Sequence, residues 1–487
     1  MSLGGEIPLR AASLGKRALR GMAWSMGSQA TTAALSLLSF TILGRVVTPE
    51  RFGDYLMALV GIASIQWLSQ NVYREPAIQA RHLTESSQDS IFWLTVGVGV
   101  MQAGLACIAA LGIWKIAGRG NVAICMTILS LKLMFDTVVA MPVAMQYRSL
   151  RFDAIAQISV LASLTGCGLS IYLLLHGWDI LGLAIAQVAG SATLFFLSLA
   201  RCGWKPGFRF HWVDLKVLRH YSPHVLLWQL IETVNLYFDR FMVGTRLSSH
   251  ALGVYGFGRR LNDIVIETLV GAVANVTLPA FATIQHDLTR VRDAYLRAVS
   301  MIGFLIFPLV VLLFINAADF IPLVFGIKWG ESVQVYQWFL LLGALAAIGT
   351  LQATLIRSLG QARLWSRYQL MQAVANVVVV LIAINYGIVI IAAAVVVRSY
   401  CIWGFSVHTT CQLIDLKIPV YLKILARPLL WAIACGVVAV TVAQMVADLN
   451  VFARVAVRVS TGATTYALLV WLFMQPTIRE FGKIVRA

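Results

Sequence analysis

Seven cations interrupt long apolar stretches of this 487-residue chain: Lys132, Arg240, Arg259, Arg260, Arg398, Arg454 and Arg458. Acids stand in similar surroundings at Asp136, Glu232, Asp239, Asp263 and Glu267. A charged side chain at the centre of a lipid-embedded helix costs about 2.5 kcal/mol or more unless it meets a partner or a watery cavity. These positions are therefore the candidates for chemistry. Guanidinium and ammonium groups offer charge-assisted hydrogen bonds to an anion, phosphate above all. Arg398 has no acid within ten residues on either side, and Arg260 lies about 100° around its helix from Arg259, with Asp263 as the one acid on that helix that could neutralise it. Lys132 and Asp136, and Arg259, Asp263 and Glu267 in series, are spaced i,i+4, so helix-surface ion pairs that neutralise each other are the plainer reading there. Arg454 and Arg458 share one face, where packing stands beside anion binding. Glu232 is an uncompensated acid and a candidate carrier of a proton or Na⁺, with a hydrogen bond to a neighbouring helix as its alternative role. His220 and His224 have a metal-compatible i,i+4 spacing but no evident third ligand, so neither metal nor cofactor is expected.

The chain around these residues is 59% hydrophobic and only 12% charged, with a mean hydropathy of +0.81. Soluble domains carry about 25% charge. Lipid-facing helices need no polar cover, so the composition implies an all-α, polytopic membrane protein and largely excludes the soluble enzyme classes. The net charge of +17 is explained first by basic loops on the cytoplasmic side, and gives no support for nucleic acid as a partner. The seven cysteines show no CxxC spacing and fall mostly in apolar runs, which argues against disulfide or metal roles.

Apolar runs of about 20 residues, the length a bilayer core requires, number fourteen. They lie near 21–46, 52–72, 90–114, 120–144, 153–175, 179–200, 222–246, 250–276, 295–316, 333–356, 364–386, 388–412, 424–447 and 451–474. The basic N-terminal segment lacks a signal-peptide pattern, so the first run is read as a retained helix. With both termini cytoplasmic, outer loops and helix ends keep only Arg45, Arg51, Lys115, Arg119, Arg246 and Lys328, and the other cations outside the spans fall on the inner side. In this scheme Lys132, Arg259, Arg260, Arg398 and Arg458 sit about 12 to 18 Å below the outer surface, near midplane. The longest outer loop is expected near 317–332, holding Asp319 and Glu331. Pro142, Pro308 and Pro428 mark expected kinks.

Gly44, Gly53 and Tyr55 recur as Gly244, Gly253 and Tyr255 at a constant offset, between runs 1 and 2 and between runs 7 and 8. This implies a basic N-terminus (1–20), two six-helix bundles (21–200 and 221–412) related by a pseudo-two-fold along the membrane normal, an additional helix pair (421–474) and a cytoplasmic tail (475–487). The linker 201–220 interleaves Trp204, Phe208, Phe210 and Trp212 with Arg201, Lys205, Arg209, Lys216 and Arg219. That pattern suits an amphipathic segment in the cytoplasmic headgroup layer, in contact with membrane lipids; a solvated connector is the bland alternative.

Pro49-Glu50-Arg51-Phe52-Gly53-Asp54-Tyr55, Ile78-Gln79-Ala80, Tyr147-Arg148-Ser149-Leu150-Arg151-Phe152, Asn235-Leu236-Tyr237-Phe238-Asp239-Arg240, Leu252-Gly253-Val254-Tyr255, Tyr295-Leu296-Arg297 and Phe325-Gly326-Ile327-Lys328-Trp329 occur in that order. Together they resemble the Wzx-type oligosaccharide flippases, polysaccharide biosynthesis proteins of the MOP exporter superfamily. The resemblance implies a secondary transporter in the bacterial inner (cytoplasmic) membrane, not an enzyme. Its implied cargo is an undecaprenyl-pyrophosphate-linked oligosaccharide repeat unit for exopolysaccharide or lipopolysaccharide, moved by alternating access through a cationic central cavity. Arg398, Arg260, Arg259, Lys132, Arg240 and Arg458 are the expected pyrophosphate and sugar contacts. Glu232, Asp263, Asp239, Glu267 and Asp136 are the expected ion-coupling acids, for a proton or Na⁺. A polysaccharide polymerase and export machinery are candidate partners. The extra helix pair is similar to the plan of lipid II flippases, but the Arg-Asp those carry after their first helix is missing here. A drug exporter of the superfamily carries cationic cargo, which an Arg-rich cavity repels. A membrane polymerase or glycosyltransferase needs acids on a sizeable outer loop, and a primary pump needs GxxxxGK[ST], which is absent.

Overall fold

The computed structural model describes residues 7–66, 70–80, 83–219, 222–264, 287–445 and 450–473. Glu267, His220 and the tail 475–487 lie outside the described residues, as does the side chain of His224. The described chain is helical, with no strand, and clusters into two compact units, Met1–Gly256 and Phe257–Ala487.

The first unit holds α1 (Ile7–Val46), α2 (Pro49–Ile65), α3 (Gln70–Gln79), α4 (Glu85–Ala117), α5 (Gly120–Val138), α6 (Ala140–Arg148), α7 (Phe152–Leu175), α8 (Asp179–Arg201), α9 (Lys216–Arg219), α10 (Ser222–Arg246) and the first part of α11 (249–264). Local sequence explains the boundaries. Thr48 accepts from the Arg51 amide at the start of α2, where Pro49 occupies the first turn with its missing N–H at no cost. Thr84 accepts from the Ser87 amide at the start of α4. That helix stops at Gly118, whose φ of +64° suits glycine and whose amide bonds Trp114. α1 begins at Ile7, so the basic N-terminal residues Arg10 to Arg20 belong to helix, earlier than the expected start at 21. The expected run 120–144 is interrupted at Val139, three residues before Pro142, into α5 and α6.

Within this unit α7 packs on α8 and α1, α5 on α4, α8 and α2, and α10 on α2 and α3. Arg148 ties two of the sequence motifs together. Its Nη1 donates to the carbonyls of Ala77, Ile78 and Ala80 at 2.9, 3.2 and 2.7 Å, closing the C-terminal end of α3 with a cation where the helix dipole favours one.

The second unit holds the remainder of α11, then α12 (Leu288–Phe325), α13 (Ser332–Ser358), α14 (Ala362–Ala383), α15 (Ile388–Leu413), α16 (Ile418–Met445) and α17 (Val451–Phe473). The additional pair, α16 and α17, packs together and against α12, while α13 and α14 each pack on α15. Pro308, Pro322 and Pro428 lie within continuous helices. The expected outer loop 317–332 is a correction: α12 continues to Phe325, so Asp319 is a helical residue. Only then does Gly326, at φ +104°, turn the chain into a short 3₁₀ segment ending at Trp329. The motif around Gly326 is a packing device, because the fully buried Trp329 stacks on Phe257 at 3.9 Å and Phe325 meets the same ring edge-on.

Ten helical stretches among the described residues are long and apolar enough to cross a membrane. They run from Glu85 to Arg201 and from Leu288 to Leu472. The protein is a multi-pass membrane protein.

Candidate functional site

On α5, Lys132 and Asp136 form the ion pair that their spacing suggested, and both side chains are largely buried. Asp136 also accepts from Gln66 Nε2 at 3.1 Å, so α2 and α5 share this charge. Along α10, Glu232 is half-buried and has no hydrogen bond or ion pair recorded among the described residues. Two turns on, Asp239 is fully buried and accepts from the Tyr255 hydroxyl at 2.6 Å, a bond from α11 that fixes the carboxylate. Arg240 lies with its guanidinium 5.5 Å from the Tyr237 ring centroid, a cation–π contact within its own helix.

In the second unit Arg259 is nearly buried and its guanidinium stands 5.3 Å from the Phe339 ring. Arg260 is exposed, as the turn of about 100° between neighbours on a helix requires when Arg259 faces inward. Asp263 is half-buried on the same helix. Arg398 Nη1 donates to both the backbone carbonyl of Gln372 at 2.8 Å and its Oε1 at 2.6 Å, and Gln372 in turn donates from Nε2 to the Tyr368 hydroxyl. The guanidinium is thus anchored to α14 by a neutral side chain. Arg458 is paired with Asp319 at 2.6 Å, which joins α17 to α12.

The structure therefore sorts the candidates. Lys132 and Arg458 meet carboxylates, Arg240 and Arg259 meet aromatic faces, and Arg398 meets an amide. Four partners escaped the sequence reading: Gln66, Tyr255, Gln372 and Asp319. Tyr255 stood in the repeat and Asp319 was visible as an acid, but their pairings span helices and leave no periodic trace. The sequence motif around Tyr295 is structural too. Tyr295 stacks on Tyr421 at 6.2 Å with rings nearly parallel, and Gln352 donates to the Tyr421 hydroxyl while accepting from Ser406.

The model of the family described as polysaccharide biosynthesis protein matches residues 42–334, more than half of the chain. The chain belongs to this family. It is 26% identical over 347 residues to the lipopolysaccharide biosynthesis protein WzxC of Escherichia coli (strain K12), covering 69% of each chain. It is 22% identical over 476 residues to the teichuronic acid biosynthesis protein TuaB of Bacillus subtilis (strain 168), covering 94% of this chain and 96% of that one. The fold is similar to that of the lipid II flippase MurJ in an inward closed conformation, with a TM-score of 0.74 at 13% identity over 93% of this chain and 98% of that chain. An inward-facing multidrug resistance MATE family transporter of the MOP superfamily gives 0.61 at 16% identity, over 79% and 94%. As a member of this family, the protein is a membrane transporter and not an enzyme.

Proposed function

We propose that the protein is a flippase for lipid-linked oligosaccharides, turning undecaprenyl-pyrophosphate-linked repeat units from the inner to the outer leaflet of the cytoplasmic membrane by alternating access. The observation that carries this reading is the family match across 42–334 on a multi-pass fold of the flippase type. The intramembrane cations supply the chemistry. A pyrophosphate crossing the bilayer loses its water, and charge-assisted hydrogen bonds from guanidinium groups replace that hydration.

Arg398 and Arg260 lead this assignment, followed by Arg240 and Arg259, which stand beside aromatic rings. Lys132 and Arg458 come last, since Asp136 and Asp319 neutralise them. Glu232 is assigned to coupling with a proton or Na⁺, because a half-buried acid without a recorded partner responds to either cation. The distribution of Lys and Arg supports a cytoplasmic side for both termini.

The test is reconstitution of the full chain in liposomes carrying a fluorescent lipid-linked oligosaccharide in both leaflets, followed by a membrane-impermeant reductant. Flipping makes the inner pool accessible and carries the bleaching past one half. Bleaching that stops at one half, with the protein folded and inserted, rejects the assignment.

A further inference from the structure

After Arg201 the chain runs back beneath the first turns of α4 as a strap that is held, not loose. The Gly207 amide donates to Asp89 Oδ1 at 3.0 Å, Trp93 Nε1 donates to the Gly207 carbonyl at 2.8 Å, the His211 amide donates to Ser90 Oγ at 3.0 Å, and Ser86 Oγ donates to Asp214 Oδ2 at 2.5 Å. Trp204 meets Phe92 edge-on, and Phe208 stacks on Trp93 at 5.5 Å. Asp89 is only 3% exposed, and a Cβ on Gly207 would lie 2.5 Å from its Oδ2, so a side chain there would displace the Asp89 carboxylate. The strap is fixed at the polar ends of two apolar helices: the apolar part of α4 begins at Ile91, and α8 finishes at Arg201. That is headgroup depth.

The surface that the strap leaves exposed is unusual for one in water. Phe208 is 92% exposed, Trp212 74% and Val213 67%, with Phe210 packed edge-on against Trp212. Lys205, Arg209 and Lys216 stand beside them, all exposed, and none is recorded in an ion pair among the described residues. The two acids that bond the strap are engaged inward, Asp89 by Gly207 and Asp214 by Ser86, while Glu85 in the first turn of α4 is exposed. The exposed face of the strap itself is apolar and cationic.

We propose that this strap is a docking surface for anionic lipid headgroups, with Phe208, Trp212 and Val213 entering the interfacial layer and Lys205, Arg209 and Lys216 contacting the phosphates. Aromatic rings at that depth leave water without losing polar partners, and basic residues near an anionic surface gain electrostatic attraction. Charge complementarity selects a membrane surface over a protein partner here. The interaction is separate from cargo recognition, and it rests on the membrane reading of α4 and α8 alone.

The test uses the full chain in nanodiscs of phosphatidylcholine, with or without phosphatidylglycerol, brominated near the top of the acyl chain. Subtracting the emission of Trp212→Phe from that of the parent isolates one indole. The expected result is blue-shifted Trp212 emission quenched by the brominated lipid and protected from aqueous acrylamide, with stronger quenching when phosphatidylglycerol is present. Joint replacement Lys205→Gln, Arg209→Gln and Lys216→Gln abolishes that enhancement. Quenching by acrylamide but not by bromolipid overturns the proposal in favour of a solvated connector. Protection from both quenchers overturns it in favour of a covering protein, and identical quenching in the two lipid compositions overturns the anionic preference. Hydrogen exchange across 204–216 gives a second readout should the replacements disturb Trp212 emission: slower exchange with phosphatidylglycerol supports docking, and equal rates reject it.

Discussion

Glu50 and His250 stand 200 residues apart, in the two segments that share Gly and Tyr at one constant offset, and their side chains meet, with Oε1 and Nδ1 2.6 Å apart. The contact lies at the tips of α2 and α11, beside a second bridge from Ser249 Oγ to Asp54 Oδ1 at 2.6 Å. Arg51 reaches Asp179 at 3.5 Å, and Arg119 donates to the Gly244 carbonyl, so neighbouring charges are drawn to other partners. The Glu50 amide, and then the His250 ring, hold the Glu50 carboxyl below the usual carboxylate range. Because the folded value is lowered, the stabilisation is present above the unfolded value of about 4.3 and is lost as pH falls through the folded one. Glu50→Gln is therefore expected to flatten the acid limb of Tm against pH between about pH 3 and 5. Superimposable limbs in parent and variant would show that the pair contributes nothing to folding.

The same junction explains two of the repeat glycines. A Cβ on Gly53 would overlap the Ser249 carbonyl, and one on Gly253 would overlap the Pro49 carbonyl, so each copy forbids a side chain in the other. Gly53→Ala and Gly253→Ala should each lower stability by about 1–3 kcal/mol, since backbone rather than a flexible side chain must yield. The double variant should cost less than the sum, because the first separation makes room for the second methyl. Strictly additive unfolding energies would mean that the two approaches are independent.

Arg148 offers a local test. Its three carbonyl partners close α3, and Arg148→Ala leaves them without a donor, at a cost of about 2 kcal/mol or more for charge-assisted bonds. Hydrogen exchange over residues 70–80 should rise well above that elsewhere in the chain. Arg148→Lys keeps a cationic nitrogen and should restore part of the protection. Unchanged exchange in Arg148→Ala would show that α3 is held by its apolar face alone.

Under the proposed function, Arg398→Ala should sharply reduce flipping at normal levels of inserted protein, and Arg398→Lys should recover only a fraction because the planar fork is lost. Gln372→Leu keeps the guanidinium but removes one of its two acceptors. An intermediate rate is expected for it. Full activity in Arg398→Ala proteoliposomes would remove this residue from cargo binding.

The all-helical class and the long apolar runs were legible because they are properties of one helix at a time. Lys132–Asp136 was readable for the same reason, being one turn apart. Arg148 was quoted within a motif, yet its partners lie on α3, and nothing in the spacing of residues 77 to 148 announces their approach. Gln372 is a neutral residue in an apolar run, so a search by charge passes over it while it holds Arg398 in place. Asp319 fell in the expected outer loop near 317–332, just past the apolar run 295–316. The helix runs through Pro322 regardless, since tertiary packing of α12 on α16 outweighs local propensity.

That extension of α12 sets up the final test, because it places Asp319 against Arg458 and gives the additional pair a polar attachment. The side chains are 23% and 18% exposed, so each ion has lost most of its water and relies on the other. Removing one partner strands a charge, and Arg458→Ala or Asp319→Ala should each lower stability by about 2–4 kcal/mol, somewhat below the range for fully buried pairs. Replacing both, with Arg458→Met and Asp319→Leu, removes the desolvation cost together with the attraction and should return stability to within about 1.5 kcal/mol of the parent. Flipping measured on the double variant then separates two roles. Near-parental rates would identify the pair as an attachment of α17 to α12, whereas a refolded but inactive double variant would return Arg458 to the group of cations proposed to contact the cargo.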